Sequence, residues 1–351
     1  MRPADGRFTG SAGASFEGAR LSTVVTMELP DAALAADVID GLAQVEDGLR
    51  EAAQAHHELL AEASRHLISA GGKRFRATLV LLAAQFGQPK DERIVPSAVA
   101  IELTHLATLY HDDVMDEALV RRNVESVNAR FGNLVAIVAG DFLLARSAEI
   151  AASLGTEIAG LLANTLALLC QGQVTEVRSA YDTERTEDDY VRTIAGKTAA
   201  LMSTSCRIGA LTGGLPRTEV DTLTDFGRCF GMLFQLRDDI LDVVATDEEL
   251  GKPAGQDLAE GIYTLPVLRA LADPVTAPEL RPLLGAPLEQ PERDKARSIV
   301  AGSGAIAETV AAGHRFVAEA VEAAGTVPER TLGRSLEDLA RSLLEGLPVS
   351  R

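Results

Sequence analysis

"HDDVMDEALVRR", His111 to Arg122, carries three aspartates and a glutamate within seven residues, with two arginines close behind. The stretch before it, "IELTHLATLY", has the apolar spacing of a buried helix. Like charges crowded at the end of such a helix repel one another, and desolvating them unpaired costs several kcal/mol or more. The same arrangement recurs in "FQLRDDILDVV", where Asp238, Asp239 and Asp242 repeat the spacing of Asp112, Asp113 and Asp116. On a helix, positions i and i+4 share a face, so each cluster lines up two carboxylates one above the other. Two such clusters facing each other across a cavity suit Mg²⁺, a hard cation that keeps open positions for phosphate oxygens and water.

Working outward from these clusters, the chain reads as helix after helix. Ala32–Ala70 is helical with a break near Ala55–Glu58 and ends at Gly71-Gly72, a natural C-cap. Helices follow over about Phe75–Phe86, Pro96–Met115, Ser126–Ser153 and Glu157–Ala180. Thr186 with Asp189 is a capping box opening the helix that carries Lys197. Another helix spans Glu219–Val244, and three more fill the C-terminus. No run alternates with period two for more than a few residues, so no strands are predicted. The expected organisation is a disordered extension over residues 1–28, rich in Gly, Ser and Ala, followed by one all-α domain over 29–351.

Composition narrows the function. Of 351 residues 46% are apolar, with no Trp, and Ala and Leu favour helix over sheet. A net charge of −18 argues against nucleic-acid binding, which needs basic patches. Cys170, Cys206 and Cys229 show no metal-ligand spacing and read as reduced thiols of a cytoplasmic protein. Ile158–Thr175 is uncharged over 18 residues, near the lower limit for a membrane span. Asn164, Thr165, Gln171 and Gln173 interrupt it, so the expectation is a buried core helix and no transmembrane segment.

Carboxylates and Mg²⁺ need an anion, and the basic residues supply its other contacts. "GGKRFR" puts Lys73, Arg74 and Arg76 at a helix start, where backbone N–H groups also favour an anion, although an ordinary interhelix turn reads the same way. Arg121 and Arg122 can grip phosphate bidentately or pair with the neighbouring carboxylates. Taken in order, "GGKRFR", "HDDVMDEALVRR", "GKT", "FQLRDDILD" and "GKPAGQDLAEG" resemble the trans-type polyprenyl diphosphate synthases, head-to-tail prenyltransferases of the isoprenoid synthase fold. The resemblance covers roughly Ala70 to Leu268.

It implies a helical bundle with a central cavity and a set of roles. Asp112, Asp116 and Asp238, supported by Asp113, Asp239 and Asp242, would hold three Mg²⁺ around an allylic diphosphate. Arg121, Lys197 and Lys252 would contact that diphosphate directly. Lys73, Arg76, His105 and Arg122 would bind isopentenyl diphosphate, and Thr198 and Gln235 would line the reacting carbons. A homodimer is the usual assembly. One departure is "AEGIYTLP", where Ile262 stands in the place of a frequent family lysine. Asp141, inside "AGDFLLA", has no partner that the sequence identifies.

Helix geometry locates the residues that the resemblance connects with product length. Residues one turn before Asp112 are Ala107 and Thr108, and two turns before it Leu103 and Thr104, with Val99 and Ala100 beyond. None is aromatic, so a chain growing back along this helix meets no bulky floor, although Ala107 is also small enough to serve close helix packing. What the resemblance implies is a long product of about C30 to C50, each turn of about 5.4 Å being comparable to one isoprene unit. A short-chain synthase is the alternative. A class I terpene cyclase would carry a different second metal motif, and a non-catalytic subunit would have lost some of these residues.

Overall fold

The computed structural model describes residues 31–250, 253–328 and 330–347. The expected 1–28 extension and Lys252 lie outside them. Asp31 opens the first helix by accepting from the N–H groups of Ala33 and Leu34 at 2.8 and 3.0 Å, an N-cap worth about 1 kcal/mol. The helices are α1 (Ala32–Ala52), α2 (Glu58–Ser69), α3 (Phe75–Ala84), α4 (Ile94–Met115), α5 (Val127–Phe131), α6 (Asn133–Leu154), α7 (Thr156–Arg178) and α8 (Glu187–Ile194). A π-helical segment (Ala195–Ala199) joins α8 to α9 (Ala200–Thr212). Then come α10 (Arg217–Val244), α11 (Asp247–Leu250), α12 (Gln256–Ala259), α13 (Leu265–Ala272), α14 (Ala277–Leu280), α15 (Gln290–Ala301), α16 (Ala305–Gly325) and α17 (Arg330–Ser342).

The packing order places the site. Helix α6 lies on α4, α4 on α3, α3 on α9, α9 on α10 and α10 on α16, while α7 packs on α6, α9 and the π-helical segment. The two aspartate-bearing helices, α4 and α10, are thus held in one frame with α9 touching both. Apolar burial drives this arrangement. Leu103, Leu106 and Ala107 on α4 and Leu233, Leu236 and Ile240 on α10 are all buried, each leucine contributing about 1.5–3 kcal/mol. Tyr110, also buried, ties α4 to α2 by donating to the carbonyls of Ala63 and Ser64 at 2.9 and 3.0 Å.

Three sequence expectations change here. The helix expected over Ser126–Ser153 is interrupted at Gly132, whose φ of +85° a helix cannot accommodate. Strands do occur: a two-stranded antiparallel ribbon pairs Val120 with Glu125 and Arg121 with Val124. Its turn residues Arg122 and Asn123 both have positive φ, 54° and 61°, the requirement of a tight hairpin. Two-residue strands are too short to leave a period-two signal. Finally, α7 is not a buried core helix. Only 28% of its most apolar stretch is buried, along one stripe from Ile158 through Leu162, Thr165 and Leu169 to Gly172 and Gln173. By length and hydropathy alone it passes as a membrane-spanning helix, the one among the described residues that does.

Candidate active site

The first aspartate cluster ends α4. Asp112 is half-buried, and burial first of all, reinforced by Asp116 and Glu176, pushes its carboxyl up to about 6 against the pull of Lys197 and Arg121. Burial likewise raises Asp116. Asp113 turns the other way: its Oδ1 accepts from Arg121 Nε and Nη2 at 2.7 and 2.6 Å, and burial still raises its carboxyl. Arg121 therefore pairs with a carboxylate of its own segment while remaining close enough to act electrostatically on Asp112 and Asp116.

Lys197 sits in the π-helical segment. A π turn inserts an extra residue into the hydrogen-bond ladder and re-aims the side chains around it. Lys197 Nζ donates to Glu176 Oε1 on α7. Burial pulls its ammonium down, but Glu176, Asp112 and Asp116 outweigh that and hold it above the usual lysine range. Glu176 is a site residue that the sequence reading missed. The segment comes this close to α7 because of Gly172, where a Cβ would stand 2.7 Å from the Lys197 backbone nitrogen.

The next residue reaches the second cluster. Thr198 Oγ1 donates to Gln235 Oε1 at 2.7 Å, and Gln235 Nε2 donates to Asp239 Oδ1 at 2.8 Å. Asp239 is fully buried and also accepts from the Tyr190 hydroxyl on α8. Burial pushes its carboxyl up to about 7, with those two donors pulling it back. Asp242 Oδ2 accepts from the backbone of Asp257 at 3.2 Å. Asp238 is exposed and lies within electrostatic reach of Arg76.

The basic cluster forms beside these carboxylates. Gly71, at φ +82°, turns the chain into "GKRFR", and Arg74 follows at φ +49°, a strained conformation for a non-glycine residue. Arg74 is 3% exposed and is held by Glu46 at 2.6 Å and Glu102 at 3.7 Å. Removing one partner of such a buried pair costs about 3–5 kcal/mol, so Arg74 anchors the loop. Glu102 also accepts from the Ala77 N–H at 3.0 Å, capping α3. That leaves Lys73 exposed, with Nζ 5.8 Å from the centre of the Phe75 ring, and Arg76 directed inward. Arg122 donates to the carbonyls of Leu67, at 3.1 Å, and Gly71, and burial with neighbouring arginines lowers it to about 10. His105 is kept neutral: burial first, then Arg76, Arg122, Arg74 and Arg121 push it well below its ordinary value. Asp141 finds a partner in His111, 3.5 Å away where α4 meets α6.

Among the described residues no three His, Cys, Asp or Glu side chains converge to hold a metal ion by themselves. Three of the six aspartates are tied to Arg121, to Tyr190 and Gln235, and to the Asp257 backbone. The donor set still fits a hard divalent cation. Asp112 and Asp116 are carboxylates whose charge burial disfavours, which a cation relieves, and Mg²⁺ is commonly bound through one or two carboxylates with substrate phosphates completing its shell.

Two carboxylate clusters bridged by Lys197 and Thr198, beside an arginine cluster inside a helical bundle, define an enzyme of the isoprenoid synthase fold. Residues 57–301 match the family described as polyprenyl synthetase. Heptaprenyl diphosphate synthase component 2 of Geobacillus stearothermophilus is 41% identical over 302 residues, covering 86% of this chain and 94% of that one. Nonaprenyl diphosphate synthase of Mycobacterium tuberculosis is 40% identical over 272 residues, covering 76% and 81%. The crystal structure of a polyprenyl synthase from Caulobacter crescentus, complexed with calcium and isoprenyl diphosphate, superposes with a TM-score of 0.84 at 30% identity, over 90% of this chain and 97% of that one. The chain belongs to the polyprenyl synthetase family and is a prenyltransferase.

Proposed function

We propose that the chain condenses isopentenyl diphosphate head-to-tail onto an allylic diphosphate to build a long trans-polyprenyl diphosphate. The observation that carries this is the adjacent pair Lys197–Thr198, one side chain serving the first aspartate cluster and the next serving the second. Asp112, Asp116 and Asp238 would hold Mg²⁺, three ions by resemblance, with Asp113, Asp239 and Asp242 supporting them; the ions would neutralise charge on the leaving diphosphate. The calcium and isoprenyl diphosphate in the Caulobacter crescentus enzyme support this use of the site. Lys197, with Arg121 and Lys252, binds the allylic diphosphate. Lys73, Arg76, Arg122 and His105 bind isopentenyl diphosphate.

The chemistry then needs little else from the chain. The allylic C–O bond ionises as cationic groups stabilise the departing diphosphate. Thr198 and Gln235 face the carbocation with oxygen dipoles, and the apolar interior excludes water. The isopentenyl double bond attacks, and a proton leaves to the released diphosphate. Repetition adds five carbons at a time.

A long product is supported by the two long-chain synthases among the relatives, and by resemblance the α4 positions before Asp112 would form the floor of the product site. Ala107 and Leu103 are fully buried, Thr108 is half-exposed, and Thr104 pairs with Ser147 of α6 at 2.8 Å. The wild type should make products of about C30 to C50, and Ala107→Phe, one turn from Asp112, should shorten them to about C15–C20. Reaction with labelled isopentenyl diphosphate and chromatography of the dephosphorylated products reads this directly. A wild type that stops at C20 would favour the short-chain alternative, and an unchanged length in Ala107→Phe would remove α4 from the tunnel.

The proposed assembly is a homodimer, with a cytoplasmic location. Cys206 and Cys229 are buried free thiols and Cys170 an exposed one. Neighbouring helices α6 and α7 expose Leu134, Ile137, Val138, Leu168, Val174 and Val177, with Leu134 at 76%, an apolar face that a second copy would cover. Light scattering should give twice the chain mass, and Ile137→Asp with Val174→Asp should yield monomers. A monomeric wild type would reject the dimer.

A further inference from the structure

Tyr190 belongs to none of the motifs that mark the two diphosphate sites, yet its hydroxyl donates to Asp239 beneath them. Both residues are only 1% exposed, so no solvent replaces this contact. Asp239 accepts through its other oxygen from Gln235 Nε2 at 2.8 Å. Gln235 thus turns its NH₂ toward Asp239, the orientation that an ionised carboxylate, which only accepts, requires. That fixes Oε1 at the opposite end, where Thr198 Oγ1 donates to it at 2.7 Å.

We propose that Tyr190 is a positioning residue for the condensation: it holds the Asp239 carboxylate, and Asp239 in turn sets the Gln235 amide in the orientation that presents Oε1 to Thr198. This rests on the reading that Thr198 and Gln235 line the reacting carbons. The ring of Tyr190 is held independently of its hydroxyl. Arg185 lies 5.7 Å from the ring centre and is itself fixed by Thr193 Oγ1 at 2.8 Å and the Tyr263 carbonyl at 3.2 Å. The Thr186–Asp189 capping box secures the helix that carries it. Loss of the hydroxyl alone frees one carboxylate oxygen to rotate and leaves the amide with a second orientation, while the packing stays as it was.

Tyr190→Phe tests this, alone and combined with the isosteric Asp239→Asn, by steady-state kinetics with farnesyl and isopentenyl diphosphates and by thermal unfolding. The single variant should lose about tenfold in kcat with the KM for isopentenyl diphosphate within about twofold, because Tyr190 acts through Asp239 and Gln235 and touches none of the groups assigned to isopentenyl diphosphate. Its Tm should stay within about 2 °C of wild type. In the Asp239→Asn background Tyr190→Phe should cost less than about twofold further, since both changes break one chain of contacts. Wild-type kcat in Tyr190→Phe would overturn the role of Tyr190 and leave the reaction class standing, because the wild-type rate in the same assay carries that class. An equal loss in both backgrounds, or a loss that tracks a falling Tm, would also overturn it.

Discussion

Asp112→Ala and Asp238→Ala should each lower turnover by about a thousandfold or more, in line with the loss of groups that stabilise charge on a leaving anion. The two residues lie on α4 and α10, more than a hundred residues apart in sequence, and a ligand handled between the helices would make both necessary. The fold should survive. Burial already disfavours the Asp112 charge, so its removal without metal should leave Tm unchanged or raise it. EDTA should abolish wild-type activity, and added Mg²⁺ should restore it. Undiminished turnover in either variant, or in EDTA, would contradict the assignment of the clusters.

Gly172→Ala should be nearly as damaging, although Gly172 touches no proposed substrate. Its new Cβ would stand 2.7 Å from the Lys197 nitrogen and 3.1 Å from both the Gly196 carbonyl carbon and the Lys197 Cα. These are backbone atoms that cannot rotate away, so α7 and the π-helical segment must separate. Overpacking of this kind costs about 1–3 kcal/mol, and a displacement near 1 Å at a positioned group costs on the order of a hundredfold in rate. Lys197 would move from both Glu176 and the first aspartate cluster. The control is Gly160→Ala on the same helix, where a Cβ meets nothing within 4 Å; it should keep full activity and gain up to about 1 kcal/mol of stability. Measured kcat/KM and Tm for the pair decide the matter, and wild-type kcat/KM in Gly172→Ala would show that the close contact does not position Lys197.

Much of this architecture is legible in the sequence where the signal is local. The Asp112/Asp116 and Asp238/Asp242 spacings mark helix faces directly. The break before Glu58, the Gly71 turn and the Thr186–Asp189 capping box are each written in a few consecutive residues, and the structure has all three. What was not legible depends on distant contacts or on the face a helix presents. Glu176 and Lys197 are 21 residues apart, and Tyr190 and Asp239 are 49 apart, so neither pair leaves a local pattern. The π turn at Lys197 changes only the hydrogen-bond ladder, which no residue type announces. Hydropathy marked α7 as apolar but could not say which of its faces is left uncovered. The short ribbon at Val120–Glu125 turns through Arg122 and Asn123 without the glycine that usually signals such a hairpin.

Inorganic diphosphate release from farnesyl diphosphate, measured with and without radiolabelled isopentenyl diphosphate, tests the central claim that two diphosphates are held for one condensation. The account predicts release that depends on isopentenyl diphosphate, with one diphosphate freed for each labelled unit incorporated. Release at the same rate without isopentenyl diphosphate, accompanied by a cyclic hydrocarbon or a free alcohol, would contradict it.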